Sequence, residues 1–390
     1  MGTRAAGLDR LSVLQGTLVW LPARGQDRAW VLAEVASDTT REIEPANVLV
    51  RVDDNVLTVA VSAVLQSNAS SLFDPDEDDL KGIDDLIALR FLHEPAIMQA
   101  LTVRYGAGRI YTSTGPIVIA INPFRDVTQA LYTWDVLQHY KRKGDERRHG
   151  KNHTRARPHI YGTADSAYRR MRVSMADGSL NENQCILISG ESGAGKTVST
   201  KYVMQFLATM GLDDADAKAA AMLGTAAQSL KKDKASSRGV GGGAIAAVAA
   251  SLPRATPGSS SQSKASRIQS RVLVSNAILE AFGNARTLRN DNSSRFGKFI
   301  KMSFDARGRL AGARIDTYLL EKSRVISQNI GERNYHCFYQ LVEGATEQER
   351  EDWQLLGLDE CNYTNGSECY ERRDGVQDAD EVRCFFFVFV

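Results

Sequence analysis

Long apolar runs are missing from this sequence. No uninterrupted hydrophobic stretch approaches the ~20 residues that a membrane-spanning helix needs, which excludes direct insertion into a bilayer. Net charge is nearly missing too: 48 Lys and Arg against 47 Asp and Glu leave +1, so no global field favours nucleic acid or an anionic membrane. The cysteines Cys185, Cys337, Cys361, Cys369 and Cys384 include no C-x-x-C pair, which excludes a disulfide or zinc framework. Cys361 and Cys369 are the nearest to a metal pair, but no histidine lies close to them in sequence. The N-terminus lacks the apolar core of a secretory signal, and it has Ala6 where a myristoylation signal prefers Ser or Thr. Without a secretory route, the Asn-x-Ser/Thr triplets at Asn68, Asn152, Asn292, Asn362 and Asn365 are chance matches. No internal repeat occurs. What remains is an ordinary globular composition, 43% hydrophobic and 24% charged over 390 residues, with room for two or three domains and a cytoplasmic reading.

Residues 1–15 are expected to be disordered. Over residues 16–65, "GTLVWLP", "AWVLAEVA", "ANVLVRV" and "VLTVAVS" read as short strands separated by Gly, Asp and Asn, which predicts a small β barrel. An acidic linker, residues 66–81 with "DPDEDD", follows. "GIDDLIALRFLHEPAIMQALTVRYG" has helical spacing with Pro95 at a helix start, "GPIVIAINPF" reads as a buried strand, and "HIYGTADSAYRRMRVSM" as an amphipathic helix. From residue 211 to 266 Ala, Gly, Ser and Lys dominate, which predicts a disordered surface insertion serving as an inert spacer. Helical spacing resumes at "RIQSRVLVSNAILEAFG". "FGKFIKMSFDARGRLAGARIDTYLL" predicts two strands joined by an Asp/Gly turn, and "GERNYHCFYQLVEGA" and "EQEREDWQLLGL" return to helix.

Between these lies the most informative stretch. An apolar run, "CILIS", enters "GESGAGKT" (residues 190–197), and an amphipathic helix follows. Gly190-x-x-x-x-Gly195-Lys196-Thr197 fits the phosphate-binding loop G-x-x-x-x-G-K-[ST]. Glycines at 190, 193 and 195 let backbone N–H groups approach phosphate oxygens. Lys196 brings a point positive charge, Thr197 a hydroxyl for Mg²⁺, and the helix start its positive dipole end. Strand, glycine turn and helix in this order predict an α/β core with a mixed, mostly parallel sheet flanked by helices. The motif establishes a nucleotide site; it leaves the nucleotide and its hydrolysis open.

A second loop, "NARTLRNDNSSRFGKFI" (residues 284–300), packs Asn290, Asn292, Ser293, Ser294, Arg295 and Lys298 together. Such a cluster is ordinarily a solvated turn. Beside a phosphate loop, serine hydroxyls can complete a Mg²⁺ shell and an arginine can offset charge on a transferring phosphoryl group. With these two loops the chain resembles the motor domain of myosin heavy chains. "GESGAGKT" is similar to that family's phosphate loop and residues 284–300 to its first switch loop, with Arg286 where lysine is commoner. "LEAFGN", "IDTYLLEKSRV", "GERNYHCFYQL" and "GIDDLIALRFLHEPAIMQALTVRYGAGRIYTSTGPIVIAINPF" are similar as well. Apart from the insertion, the resemblance covers roughly residues 16–382.

The resemblance implies an ATP- and Mg²⁺-dependent ATPase coupled to movement on actin, a P-loop NTPase core over residues 82–383, and a Src-homology-3-like barrel before it. It implies that Gly190, Glu191, Ser192, Gly193, Ala194, Gly195, Lys196 and Thr197 cradle the phosphates, and that Asn122 and Pro123 belong to the purine-binding loop. Tyr132 would face the adenine, at a longer spacing from Asn122 than the family pattern. Asn290 would contact phosphates, Ser293 the γ-phosphate and attacking water, and Thr197 and Ser294 Mg²⁺. Lys196, Asn290, Ser293 and Arg295 are thus the expected catalytic residues. Actin is the implied partner, with light chains or calmodulin on regions outside this chain, and the actin cytoskeleton the implied location.

The resemblance further implies that Arg295 pairs with a glutamate of a second switch loop, Asp-Ile-x-Gly-Phe-Glu. That string does not occur here; "RRDGVQDADEVR" (372–383) is similar to the segment leading toward it. The core is therefore expected to be incomplete at its C-terminal side, lacking second switch, relay and converter. "CFFFVFV" (384–390) resembles nothing in the family and is read as translated non-coding sequence. The competing reading is a nucleotide-binding module without catalytic activity. A kinesin-like motor would instead have S-S-R-S-H in its first switch, and a generic P-loop kinase leaves residues 284–300 unexplained.

Overall fold

The computed structural model describes residues 16–23, 29–36, 47–53, 55–67, 83–148, 150, 156–176, 183–212, 214, 217, 218, 221 and 264–381. The expected disordered N-terminus, the acidic linker, most of the 211–266 insertion and the 384–390 tail fall outside them. The chain divides into two compact units, Met1–Pro123 with Arg157–His159, and Phe124–Ala156 with Ile160–Val390.

The first unit opens with strands β1 (Leu18–Pro22), β2 (Trp30–Val35), β3 (Asn47–Val52), β4 (Asn55–Ala60) and β5 (Leu65–Gln66). They form one antiparallel sheet in the order β4-β3-β2-β1-β5. Alternation explains it: Val19, Leu21, Ala33, Val35, Val48, Val50 and Val64 share one buried cluster while their chain neighbours face outward. Helix α1 (Glu94–Gly106) starts at an N-cap His93, whose Nδ1 accepts from Ala96 N at 3.3 Å, with Pro95 in the first turn where no intrahelical donor is lost. Strands β6 (Tyr111–Thr114) and β7 (Ile117–Ala120) form a hairpin. The buried strand expected in "GPIVIAINPF" is instead a half-exposed arm of this hairpin: Ile117 and Ala120 are exposed and Val118 and Ile119 only partly covered. Arg104 is buried and ties α1 to β6, donating to Thr112 Oγ1 at 2.8 Å and Tyr111 O at 2.6 Å and pairing with Asp84 at 2.7 Å.

The second unit holds α2 (Thr128–Leu131), α3 (Trp134–Arg148), α4 (Ile160–Ala176), α5 (Lys196–Thr209) and α6 (Lys264–Gly283). Two short strands, β8 (Asn284–Ala285) and β9 (Ser293–Ser294), pair across the second loop. A long hairpin of β10 (Gly297–Phe304) and β11 (Leu310–Tyr318) follows, then α7 (His336–Gly344) and α8 (Glu347–Asp352). The Asp/Gly turn forms as expected: Gly308 takes φ +81° and its N–H donates to Asp305 O at 2.7 Å. Residues Tyr202 through Thr209 of α5 are all buried, since the helix is packed between α4 and α6. Within the expected insertion, Ala217 and Ala221 are buried and Gln205 Nε2 donates to Ala221 O at 2.5 Å.

One expectation, the mostly parallel sheet, has no counterpart among the described strand ladders. Every strand ladder among the described residues is antiparallel, and residues 183–191, entering the phosphate loop, pair with none of them. A parallel strand needs neighbours delivered by crossover connections from distant parts of the chain. Over 183–189 the odd-numbered residues are the exposed ones, and Leu187 is 87% exposed.

Candidate functional site

Residues 190–197 turn sharply into α5. Gly193 and Gly195 sit at φ +81° and +90°, a region other residues reach only with strain, and Gly195 is the cap from which α5 starts. The N–H groups of the first helical turn have no intrahelical acceptor and so face the loop. Lys196 Nζ folds back over the turn, donating to Gly190 O at 2.7 Å and Glu191 O at 2.9 Å. The lysine charge is thereby centred on the loop's own concavity.

The second loop is built mainly from its own polar groups. Thr287 N and Oγ1 donate to Asn290 O at 2.8 and 3.1 Å, Asn290 N donates to Thr287 Oγ1 at 3.2 Å, and Asn292 N donates to Asn290 Oδ1 at 3.2 Å. Asn292 reaches inward: its Nδ2 donates to Glu280 Oε2 at 3.3 Å, its Oδ1 accepts from Asn284 Nδ2 at 2.7 Å and lies 3.3 Å from His336 Nε2. Glu280 in turn lies 3.8 Å from Lys201 of α5. One polar chain thus runs from the phosphate-loop helix through α6 and the second loop to α7. His336 is buried, and that burial, with Arg372 and Arg333 nearby, keeps its imidazole well below the ordinary histidine value and therefore neutral.

The two loops meet through hydroxyls. Ser192 Oγ and Ser293 Oγ lie 2.8 Å apart although 101 positions separate them. Arg295 Nη1 donates to Ser293 Oγ at 3.4 Å, and Arg289 and Glu191 form an ion pair of 2.5 Å at the exposed rim. Arg295 also finds an acid within this chain. Its Nε donates to Glu321 Oε2 at 2.5 Å, and the same oxygen accepts from Arg324 Nε at 2.8 Å. The resemblance assigns Arg295 a glutamate in a string that does not occur in this sequence. Glu321 stands in "LLEKSRV", three residues past the end of β11, and only its position in space discloses the pairing. Partial burial acts to raise the Glu321 carboxyl, but hydrogen bonds and charge from Arg324 and Arg295 outweigh it and hold the group below its usual range.

Among the expected residues the structure brings together the 190–197 loop, Ser293 and Arg295; Asn290 is close enough that its Cβ would lie 3.9 Å from a side chain added at Gly193. Thr197 stands in the first turn of α5 and Ser294 in β9, beside Ser293. Asn122 and Pro123 belong to the first unit, where Pro123 O accepts from Tyr105 Oη at 3.3 Å. Tyr132 is in the second unit, 5% exposed, its ring stacked on Tyr202 at 3.4 Å between centroids and 11° between planes.

A glycine turn capping a helix, a lysine centred in it and a hydroxyl-rich loop closed against it define a P-loop NTPase fold. Family comparison refines the class. The model of the myosin head (motor domain) matches residues 83–385. The chain is 40% identical over 370 residues to Myosin-J heavy chain of Dictyostelium discoideum, covering 94% of this chain and 14% of that protein. It is 38% identical over 371 residues to Myosin-7 of Arabidopsis thaliana (95% and 17%), and 38% identical over 299 residues to Myosin IA heavy chain of Dictyostelium discoideum (76% and 24%). The chain therefore belongs to the myosin head (motor domain) family, and it spans about a seventh to a quarter of the length of these relatives.

Proposed function

We propose that this chain carries the Mg·ATP site of an actin-based ATPase motor. The observation that carries the reading is the 2.8 Å contact between Ser192 and Ser293, which closes the phosphate loop against the second loop as a site gripping a terminal phosphate requires. In this reading Gly190–Thr197 cradle the phosphates, and Lys196 exchanges its carbonyl partners for outer phosphate oxygens. Asn290 contacts phosphate, Ser293 orders the attacking water, and Arg295, aimed by Glu321, offsets charge that develops at the γ-phosphate. Thr197 and Ser294 offer neutral hydroxyl oxygens, hard donors that suit Mg²⁺ alongside phosphate oxygens, and these two residues would hold it. When bound, the ion neutralises charge on the phosphate oxygens. Asn122 and Pro123 serve the purine, with Tyr132 the assigned aromatic.

The finer architecture belongs to the same reading: residues 16–65 form a Src-homology-3-like module, and residues 183–191 take a place in a mostly parallel sheet. The partners are the actin filament and, on regions outside this chain, light chains or calmodulin; the location is the actin cytoskeleton. The test is fluorescent ATP-analogue binding by the purified chain with Mg²⁺ and with excess EDTA, followed by phosphate release with and without actin filaments. Saturable Mg²⁺-dependent binding that Lys196→Ala lowers at least about tenfold is expected, since it removes a charge-assisted phosphate contact. Absence of saturable binding by the wild-type chain overturns the reading; binding with no phosphate release restricts it to a nucleotide-holding module.

A further inference from the structure

The second loop owes its shape to local hydrogen bonds, yet those bonds do not fix where the loop sits. Its inner side is tied down through Asn292. Its outer side is held by a residue 82 positions away. Arg373 approaches from the segment Glu371–Asp374 and spends its whole guanidinium on this loop. Nη2 donates to Thr287 O at 2.9 Å, Nη1 to Leu288 O at 3.0 Å, and Nε to Asp291 Oδ1 and Oδ2 at 3.1 and 3.2 Å. The Arg373 backbone N–H adds a bond to Asp291 Oδ1 at 3.1 Å. Arg286, at the loop's entrance, lies 3.5 Å from the same carboxylate and donates through Nη1 to Glu371 O, so the strap is tied back to its own base.

We infer that Arg373 is a positioning residue for the nucleotide site, a strap that spans the mouth of the second loop and holds Asn290 and Ser293 where they face the phosphates. The inference rests on the proposed nucleotide site. Three features point to this rather than to a surface ion pair. The fork reaches both sides of the turn that contains Asn290, residues 287–288 and 291, so its loss removes that turn's outer anchor while its internal hydrogen bonds remain. The Asp291 side chain is only 14% exposed, which strengthens the pairing. Partial burial acts to raise the Asp291 carboxyl, but the backbone and side-chain hydrogen bonds of Arg373 and the charges of Arg373 and Arg286 prevail and keep it ionised below its ordinary range. A lysine has one point charge and no fork; it can answer Asp291 or the carbonyls, but not both. Displacement of a positioning loop by about 1 Å can cost about a hundredfold in a phosphoryl-transfer site.

The test uses the full chain with Arg373→Ala, Arg373→Lys and Asp291→Asn. Amide hydrogen exchange of residues 286–294 is followed without nucleotide, and the release rate of a fluorescent ADP analogue is measured with Mg²⁺. All three substitutions are expected to speed exchange in that segment and to raise nucleotide release about tenfold, the loss of about one charge-assisted bond, with lysine recovering little. Thermal midpoints should change little, because Arg373 is half exposed; a midpoint drop without faster loop exchange marks a merely structural role and overturns the inference. Unchanged exchange and release in Arg373→Ala also overturn it. If Arg373→Ala fails to fold, Asp291→Asn answers both questions. If the wild-type chain binds no nucleotide, the proposed function falls. Loop exchange then shows whether the strap exists, and the assignment to a nucleotide site falls with the function.

Discussion

Replacing Glu321 tests whether the acid that meets Arg295 is structural ballast or the hub of the second loop. Glu321 is 32% exposed, Arg295 27%, and Arg324 only 4%. In Glu321→Ala the nearly buried Arg324 keeps Glu332 at 3.0 Å and Arg333 O at 3.0 Å, so it is not stranded. Among the described residues the Arg295 guanidinium keeps only the weak 3.4 Å bond to Ser293. The loss is therefore about one charge-assisted pair at a partly wet site, about 1–2 kcal/mol. For a unit of this size that corresponds to a thermal midpoint lower by about 2–8 °C. Arg324→Ala should cost more, about 3–5 kcal/mol, because it leaves Glu321 and Glu332 near each other without the cation between them. The pH dependence fixes the sign. A carboxyl depressed by folding contributes stability that is complete above its unfolded value of 4.5 and is lost as pH falls through the lower folded value. Wild-type stability should fall below about pH 4.5 more steeply than that of Glu321→Gln. Differential scanning fluorimetry between pH 3 and 7 on the four proteins checks this. A Glu321→Ala midpoint equal to wild type, or as low as that of Arg324→Ala, refutes the hub.

His336 is buried and kept neutral, so the unfolded chain binds the proton first, and stability should decline as pH drops from about 6.5. Thermal midpoints at pH 7.5 and 5.5 are expected to converge in His336→Gln, and persistence of the full wild-type slope counts against the assignment. Burial pushes the Cys337 thiol up to about 11, whereas Cys185 is exposed. A thiol reagent at pH 8 should label Cys185 well before Cys337, whose thiol is only partly covered but stays protonated, as peptide mapping will show; equal rates contradict this. Gly193→Ala has room for its methyl group, with Asn290 Cβ 3.9 Å away, so the penalty is that of φ +81°, about 1–2 kcal/mol. Because the turn is local, nucleotide affinity should fall about tenfold while the global midpoint moves by only a few degrees.

Sequence discloses structure here wherever the cause is local. Glycine at 193 and 195 needs no partner to bend the chain, so the phosphate loop is readable residue by residue. The β10–β11 hairpin is readable for the same reason, from "DARGR" between two apolar runs. The alternation of Val19, Leu21, Ala33 and Val35 likewise announces the first sheet. Side-chain meetings across long separations have no local cause. Nothing in "LLEKSRV" says that Glu321 will meet Arg295, and nothing in "RRDGVQ" says that Arg373 will close over Thr287, Leu288 and Asp291. Tyr132 is another meeting that spacing does not disclose. A tyrosine a few residues after Asn-Pro can be an aromatic platform or a core residue, and its ring here lies flat on Tyr202.

The run "CILIS" carries the same lesson to the backbone. Its β-branched, apolar composition specifies an extended segment that prefers to be covered. Composition does not specify which strands pair with it, because a parallel strand takes its neighbours from distant parts of a fold and makes no local hydrogen bond of its own. Leu187, 87% exposed on this segment, separates the two kinds of information. Residue type fixes the demand for burial, and only topology can supply the surface that answers it. Function divides the same way. The proposed grip on phosphate is local and stands in eight consecutive residues, whereas the Arg295–Glu321 and Arg373–Asp291 pairings exist only once the chain is folded.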